Sequence, residues 1–224
     1  MCDDTGKSYP LPSVRRMPMY LQYLKQVRER GRCCVSCTHI AEHLHLNSIQ
    51  VRKDLAMTGI VGRPKTGYEV EPLIEAVEEF LGWNNTHDAF LVGVGSLGRA
   101  LLGYEGFHEY GLEIIAGFEK AVDKIGQTIH GKEILDIETL PGLARRMHVQ
   151  IGILTVPAQA AQEVTDLMVG AGIRAIWNYT PVQLDVPPAV VVEDVRMAAS
   201  FAVLSLRLTE LVKCEKSPVG PSVD

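Results

Sequence analysis

A glycine-rich segment, Gly93-Val94-Gly95-Ser96-Leu97-Gly98, stands between the apolar run 89–92 and the helix-forming stretch 99–103. This placement constrains the fold more than any other feature. In a G-x-G-x-x-G turn between strand and helix, the first glycine permits the tight turn and the second lets backbone approach a pyrophosphate. The third lets the helix pack closely on the strand. The helix N-terminus then offers unpaired N–H groups to phosphate. Glu119 lies 21 positions beyond Gly98, at the end of the next strand-like run, 112–118. A carboxylate there accepts hydrogen bonds from a ribose 2′-OH and repels a 2′-phosphate, which predicts NAD(H) over NADP(H). The competing reading makes the glycines an ordinary strand-to-helix turn and Glu119 a solvated charge.

The net charge of −5 conceals two oppositely charged parts. Residues 1–70 carry 11 Lys and Arg against 6 Asp and Glu, and residues 71–224 carry 11 against 21, giving +5 and −10. A basic module joined to an acidic one predicts an anionic partner for the first, with nucleic acid foremost. No apolar run approaches about 18 residues, and the N-terminal residues lack a secretory pattern, so a cytoplasmic location is expected. Five cysteines, Cys2, Cys33, Cys34, Cys37 and Cys214, make no disulfide framework in such a chain. Cys34 and Cys37 form a C-x-x-C close to His39 and His43, but no second pair completes a zinc site, and no metal is expected.

Periodicity organises the rest. Residues 1–14 read as a flexible tail. In 15–82, Tyr20, Leu21, Leu24 and Val27 recur at helical steps until Gly31. Ser36 can cap a second helix with Ile40, Leu44 and Leu46 on its face. Asn47-Ser48 restarts the chain into a short helix carrying Ile49, Val51, Leu55 and Ala56, which Gly59 ends. Two short helices joined by a tight polar turn predict helix-turn-helix. The second presents Gln50, Arg52 and Lys53, suited respectively to adenine, guanine, and guanine or phosphate. Residues 61–68, with Arg63 and Lys65, read as a basic wing, and 71–81 as a closing helix.

After a linker at 83–87, strand-like runs at 90–92, 112–118, 150–156, 174–178 and 189–192 alternate with helices after Gly98, Thr139 and Ala158. This predicts an α/β Rossmann domain at 86–194 with a parallel sheet. A helix at 195–213 carries Met197, Phe201, Leu204 and Leu208 on one face, and a partner subunit is its simplest host, although its own domain is the alternative. Residues 214–224 are expected to be disordered.

Several stretches carry a further signal: Arg16-Met17-Pro18-Met19-Tyr20, Gln50-Val51-Arg52-Lys53-Asp54-Leu55, the glycine segment continued to Leu101, Tyr104-Glu105-Gly106-Phe107, Leu154-Thr155-Val156-Pro157-Ala158 followed by Ala161-Gln162, and Asn178-Tyr179-Thr180-Pro181-Val182. In this order and spacing they resemble the Rex family of bacterial redox-sensing repressors. The resemblance implies a homodimer whose winged helices bind a palindromic duplex operator, NAD(H) in each Rossmann domain, and a C-terminal helix swapped between subunits. It also implies that NADH closes the dimer and releases the operator. The glycine loop, with Val94, Ser96, Leu97 and Arg99, then holds the pyrophosphate. Glu119 and Lys124 lie at the ribose, Thr155, Val156 and Pro157 line the cleft, and Tyr104, Phe107, Asn178 and Tyr179 lie near the nicotinamide. Arg15, Arg16, Ser48, Gln50, Arg52, Lys53, Arg63 and Lys65 are the expected DNA-binding set.

The chain departs from the family where an ion pair reports cofactor state. Gln22 replaces the arginine of the first helix and Arg196 the aspartate that opens the swapped helix. These two cannot make that bond, so the switch formed by Gln22, Tyr104 and Arg196 is expected to be altered. Arg196 is free to take a phosphate or a carboxylate such as Glu105, or to face solvent. Smaller departures are Met57-Thr58, the Arg63-Pro64-Lys65 wing and Ala121. Two rival functions use the same parts: a nucleotide-binding dimer that has lost DNA recognition, and an NAD-dependent oxidoreductase. The latter lacks a Tyr-x-x-x-Lys pair or a His-acid relay, and no catalytic residue is assigned.

Overall fold

The computed structural model describes residues 9–216. The remaining residues of the expected tails, 1–8 and 217–224, lie outside the described residues. The chain divides into two compact units, one of residues 1–86 with 106–112 and one of 87–105 with 113–224.

The first unit is helical with a small sheet. A single helical turn, α1 (Leu11–Val14), precedes α2 (Met17–Glu29), so the expected flexible segment 1–14 is ordered at its end. Ser13 is buried there, where its hydroxyl accepts from Arg16 at 3.2 Å. Met17, Tyr20, Leu24 and Val27 face inward from α2 at the predicted spacing. A strand absent from the periodicity reading, β1 (Cys34–Val35), leads into α3 (Cys37–Leu44), whose first turn is capped by the Ser36 hydroxyl accepting from the His39 N–H. His45 adopts a left-handed conformation, and Asn47 caps α4 (Ser48–Leu55) by accepting from the Ile49 N–H. The helix-turn-helix is therefore present with both expected caps.

Two inward assignments are corrected. Ile49 is 62% exposed and Ala56, just past the helix end, is exposed as well, whereas Val51, Asp54 and Leu55 form the buried face of α4. The hydrophobic count had no way to place an aspartate there. Strand β2 (Tyr68–Glu69) pairs antiparallel with β1, and the Arg63 and Gly67 backbones bond across the wing. Helix α5 (Val70–Leu81) closes the core around Leu73, Ile74 and Val77.

The second unit is a Rossmann-type sheet of β3 (His87–Val92), β4 (Leu112–Glu119), β5 (Thr128–Ile129), β6 (Lys132–Asp136), β7 (Ile151–Leu154), β8 (Ala175–Asn178) and β9 (Val191–Asp194). Strand order is β5-β6-β4-β3-β7-β8-β9, and β5 alone pairs antiparallel in the registers described. Strands β5 and β6 were not anticipated, because 128–136 is short, rich in polar residues, preceded by Gly126 and broken by Gly131. Helices α6 (Ser96–Leu102), α7 (Leu140–Met147) and α8 (Ala161–Gly170) follow strands, as predicted. Phe90, Phe118, Leu140, Leu154 and Met168 anchor the core. The order reverses between β3 and β7, the switch point at whose carboxyl edge such sheets bind ligands.

The last helix, α9 (Met197–Lys216), runs past the predicted end at 213. Met197, Phe201, Leu204 and Leu208 are 60% exposed or more, so the helix does not pack on its own domain. Among the described residues, no helix is long and apolar enough to cross a membrane, and no three His, Cys, Asp or Glu side chains converge as a metal site.

Candidate nucleotide cleft and nucleic-acid interface

The glycine segment is held by contacts that other residues would break. Gly93 has φ +99°, and a Cβ there would lie 2.8 Å from the Thr155 backbone. A Cβ on Gly98 would meet the Gly93 carbonyl at 2.1 Å, whereas one on Gly95 would meet nothing within 4 Å. The first and third glycines are thus required by packing, and the second faces open space into which a diphosphate can come. Gly95 precedes α6 without a side-chain cap. The residues present fit a dinucleotide.

The Thr155 hydroxyl lies 2.7 Å from the Gly93 carbonyl and 3.1 Å from that of Val92. It acts first as a clamp on the loop. Beside the loop opens a cleft of about 510 Å3, lined by Gly93, Glu119, Val156 and Pro157 from the predicted set. Ile137, Ala160, Val164 and Leu167 complete its apolar wall and Lys120, Glu138 and Glu163 its rim. These were missed: Lys120 directly follows Glu119, Ile137 and Glu138 follow the unanticipated β6, and Ala160, Glu163, Val164 and Leu167 lie on the helical stretch after Pro157, where only proximity in space marks them. An apolar slot beside a carboxylate at a strand end suits an adenine ring.

Glu119 is densely bonded. Its Oε2 accepts from the Val94 N–H at 3.0 Å and the Lys124 ammonium at 2.9 Å, and its Oε1 from the N–H groups of Lys120 and Ala121. Burial opposes its ionisation, yet Lys124 and the two backbone donors outweigh burial and hold the carboxyl below the usual range. The acid therefore stays charged and braces the loop.

At the other end of the sheet the predictions fare unevenly. Asn178 is buried, its Nδ2 donating to the Val182 carbonyl and Asp194 Oδ1, its Oδ1 accepting from the Thr180 N–H and hydroxyl. All four of its hydrogen-bonding positions are taken, so it shapes the wall instead of reaching a ligand. Tyr179 packs against Trp177 with ring centroids 5.3 Å apart, and burial pushes its phenol up. Tyr104 is half exposed after α6, while Phe107 is buried in a turn that groups with the first unit. The Arg196 guanidinium donates to Asp194 Oδ2 at 2.8 Å while its side chain stays 62% exposed, so it faces solvent, as one expectation had it, and takes Asp194 as its carboxylate instead of Glu105. Arg196 and Asn178 together draw the Asp194 carboxyl below its ordinary value.

In the first unit a second cleft, of about 540 Å3, opens between α3, α4 and the wing, and Arg52, Arg63 and Lys65 all line it. Three predicted cations thus share one concavity, although Arg63 is also paired with Glu69 at 2.8 Å. Lys53 and Arg15 are exposed, and Ser48 is half-buried at the start of α4. Arg16 differs from the expected free cation of the arm. Its Nε and Nη2 donate to Asp54 at 2.7 and 3.0 Å. Tyr20 Oη donates to the same carboxylate at 2.6 Å and Gln50 Nε2 at 2.9 Å.

Two family models match, "CoA binding domain" over 84–182 and "Putative DNA-binding protein N-terminus" over 9–56. A redox-sensing transcriptional repressor Rex from Treponema denticola is 46% identical over 88% of this chain and 94% of its own length. The Rex of Bacteroides fragilis is 42% identical over 89% and 90%. Among solved structures, RSP in complex with β-NAD+ and operator DNA matches with TM-score 0.87 at 32% identity, covering 94% of this chain and 97% of that one. RSP in complex with β-NADH matches with TM-score 0.84 at 31% identity, covering 94% and 99%.

Proposed function

Because the chain belongs to the Rex family of redox-sensing transcriptional repressors, we propose that it is a homodimeric repressor coupling NADH/NAD state to occupancy of a palindromic DNA operator in the cytoplasm. The observation that carries this reading is the open space at Gly95 beside a charged, loop-bracing Glu119. A helix-turn-helix in the same chain is what an enzyme of this fold would not need. The function is regulatory, not catalytic.

In this reading 15–82 is the DNA-binding domain, 86–194 the NAD(H)-binding domain and 195–213 the swapped dimerisation helix. The glycine loop with Ser96, Leu97 and Arg99 receives the pyrophosphate, Glu119 and Lys124 the ribose, and Val156 and Pro157 the adenine side. Tyr104 and Tyr179 flank the nicotinamide end. Arg52, Lys53 and Gln50 read the groove, while Arg15, Ser48, Arg63 and Lys65 take phosphates.

The redox switch is rebuilt. Arg196, though largely exposed, pairs with Asp194, itself tied to Asn178, which draws the charge at the start of α9 toward the Rossmann unit. Gln22, exposed on α2, offers no charge for it.

A mobility shift against a palindromic operator pool, run with NAD and with NADH, tests the proposal. Binding with NAD, released by NADH, is expected. Arg52→Ala and Lys53→Ala should each weaken binding and lower the salt slope by about 1. No shift under any condition would refute DNA recognition; a shift indifferent to nucleotide would refute redox sensing.

A further inference from the structure

Asp54 is 1% exposed and stands at the meeting of three elements. Arg16 from the segment before α2, Tyr20 from α2 and Gln50 from one turn earlier on α4 all donate to its two oxygens. The guanidinium opposite, with the Tyr20 and Gln50 donors, overcomes burial and keeps it ionised. Each oxygen accepts two hydrogen bonds, so the carboxylate has no freedom to turn.

This arrangement dictates the orientation of the Gln50 amide. An ionised carboxylate only accepts. Gln50 must therefore present Nε2 to Asp54 Oδ1, as it does at 2.9 Å. The flipped amide would set Oε1 against a carboxylate oxygen with no proton between them. With one N–H engaged, the half-buried Gln50 retains one acceptor, Oε1, and one donor. In the major groove adenine offers one donor, N6–H, and one acceptor, N7, whereas guanine offers two acceptors, O6 and N7. The retained pair matches adenine and leaves one guanine acceptor facing another acceptor.

We propose that Asp54 is a positioning residue that, by holding Gln50 in one amide orientation, makes the recognition helix select adenine over guanine at the base facing Gln50. This rests on the DNA-binding reading above. Gln50 touches the base, and Asp54 acts through it.

The test is selection from a duplex pool with randomised palindromic half-sites, the bound fraction being sequenced for wild type, Gln50→Ala, Asp54→Asn and the double variant. Wild type should enrich adenine at a position that Gln50→Ala flattens. Asp54→Asn, whose amide can face either end of Gln50, should cut the adenine-to-guanine ratio there by roughly tenfold and leave other positions unchanged. In the Gln50→Ala background it should have no further effect. Tyr20→Phe removes a donor but keeps the carboxylate, so it should lower melting temperature without altering that ratio.

Should Asp54→Asn fail to fold, base analogues serve with wild-type protein. Purine, which lacks the N6 amino group, and 7-deazaadenine should each weaken binding at that position by roughly tenfold. An unchanged ratio in folded Asp54→Asn, a loss spread evenly over all positions, no Gln50-dependent adenine, or indifference to both analogues overturns the proposal. If wild type binds none of the pool with NAD or NADH, the DNA-binding reading itself fails.

Discussion

The carboxylate of Glu119 accepts a hydrogen bond from the Val94 N–H at 3.0 Å, tying the end of β4 to the middle of the glycine loop. The group expected to meet a ribose thus also fixes the loop expected to meet the diphosphate. Its four donors fill its acceptor positions. A ribose hydroxyl must displace one, and the partly exposed, flexible Lys124 can yield more readily than a backbone amide.

Glu119→Gln should therefore weaken NADH binding by roughly tenfold or more, the value of a charge-assisted hydrogen bond. It should also narrow the preference over NADPH, since the like charge facing a 2′-phosphate is gone. Calorimetric titration with both cofactors measures the two effects, and an unchanged NADH affinity would exclude Glu119 from the ribose site.

Gly95→Ala and Gly98→Ala separate binding from folding. The added methyl at Gly95 meets open space, so thermal stability should change by no more than about 0.5 kcal/mol while NADH affinity falls. At Gly98 the methyl meets the Gly93 carbonyl, and both melting temperature and affinity should drop. Equal affinity for Gly95→Ala and wild type would mean that nothing approaches the loop there.

Asp54 should contribute pH-dependent stability. Its carboxyl titrates below the value of about 3.9 for a free Asp. A depressed carboxyl stabilises the fold above its unfolded pKa and loses that contribution as pH falls through its folded value. Asp54→Asn should cost about 3 kcal/mol at pH 7, with the same gap at pH 5 that begins to narrow below about pH 4 and closes only beneath the depressed folded value. Chemical denaturation across that range checks it, and a constant gap down to pH 2 would disprove the linkage.

Helix α9 should hold the dimer. Phe201, Leu204 and Leu208 are at least 60% exposed within one chain, so Leu204→Asp and Leu208→Asp together should give a folded monomer by sedimentation. A dimer that survives both substitutions would place the interface elsewhere.

Local chemistry determined a good deal from the sequence alone. The glycine spacing, the Ser36 and Asn47 caps, and the periodic Tyr20, Leu24 and Val27 each act within a few residues of chain, so the Rossmann turn and helix-turn-helix were legible. Tertiary structure decided how polar side chains are shared. Asp54 meets Arg16 and Tyr20 from 38 and 34 residues away, Thr155 clamps Gly93 across 62, and Glu119 reaches Val94 across 25. Hydrogen bonds over such separations leave no periodic trace, and a buried carboxylate breaks the hydrophobic pattern that marks a core. The same blindness hid β5 and β6, which are too short and polar to alternate, and made Asn178 look available for a ligand when four hydrogen bonds to three residues already engage it.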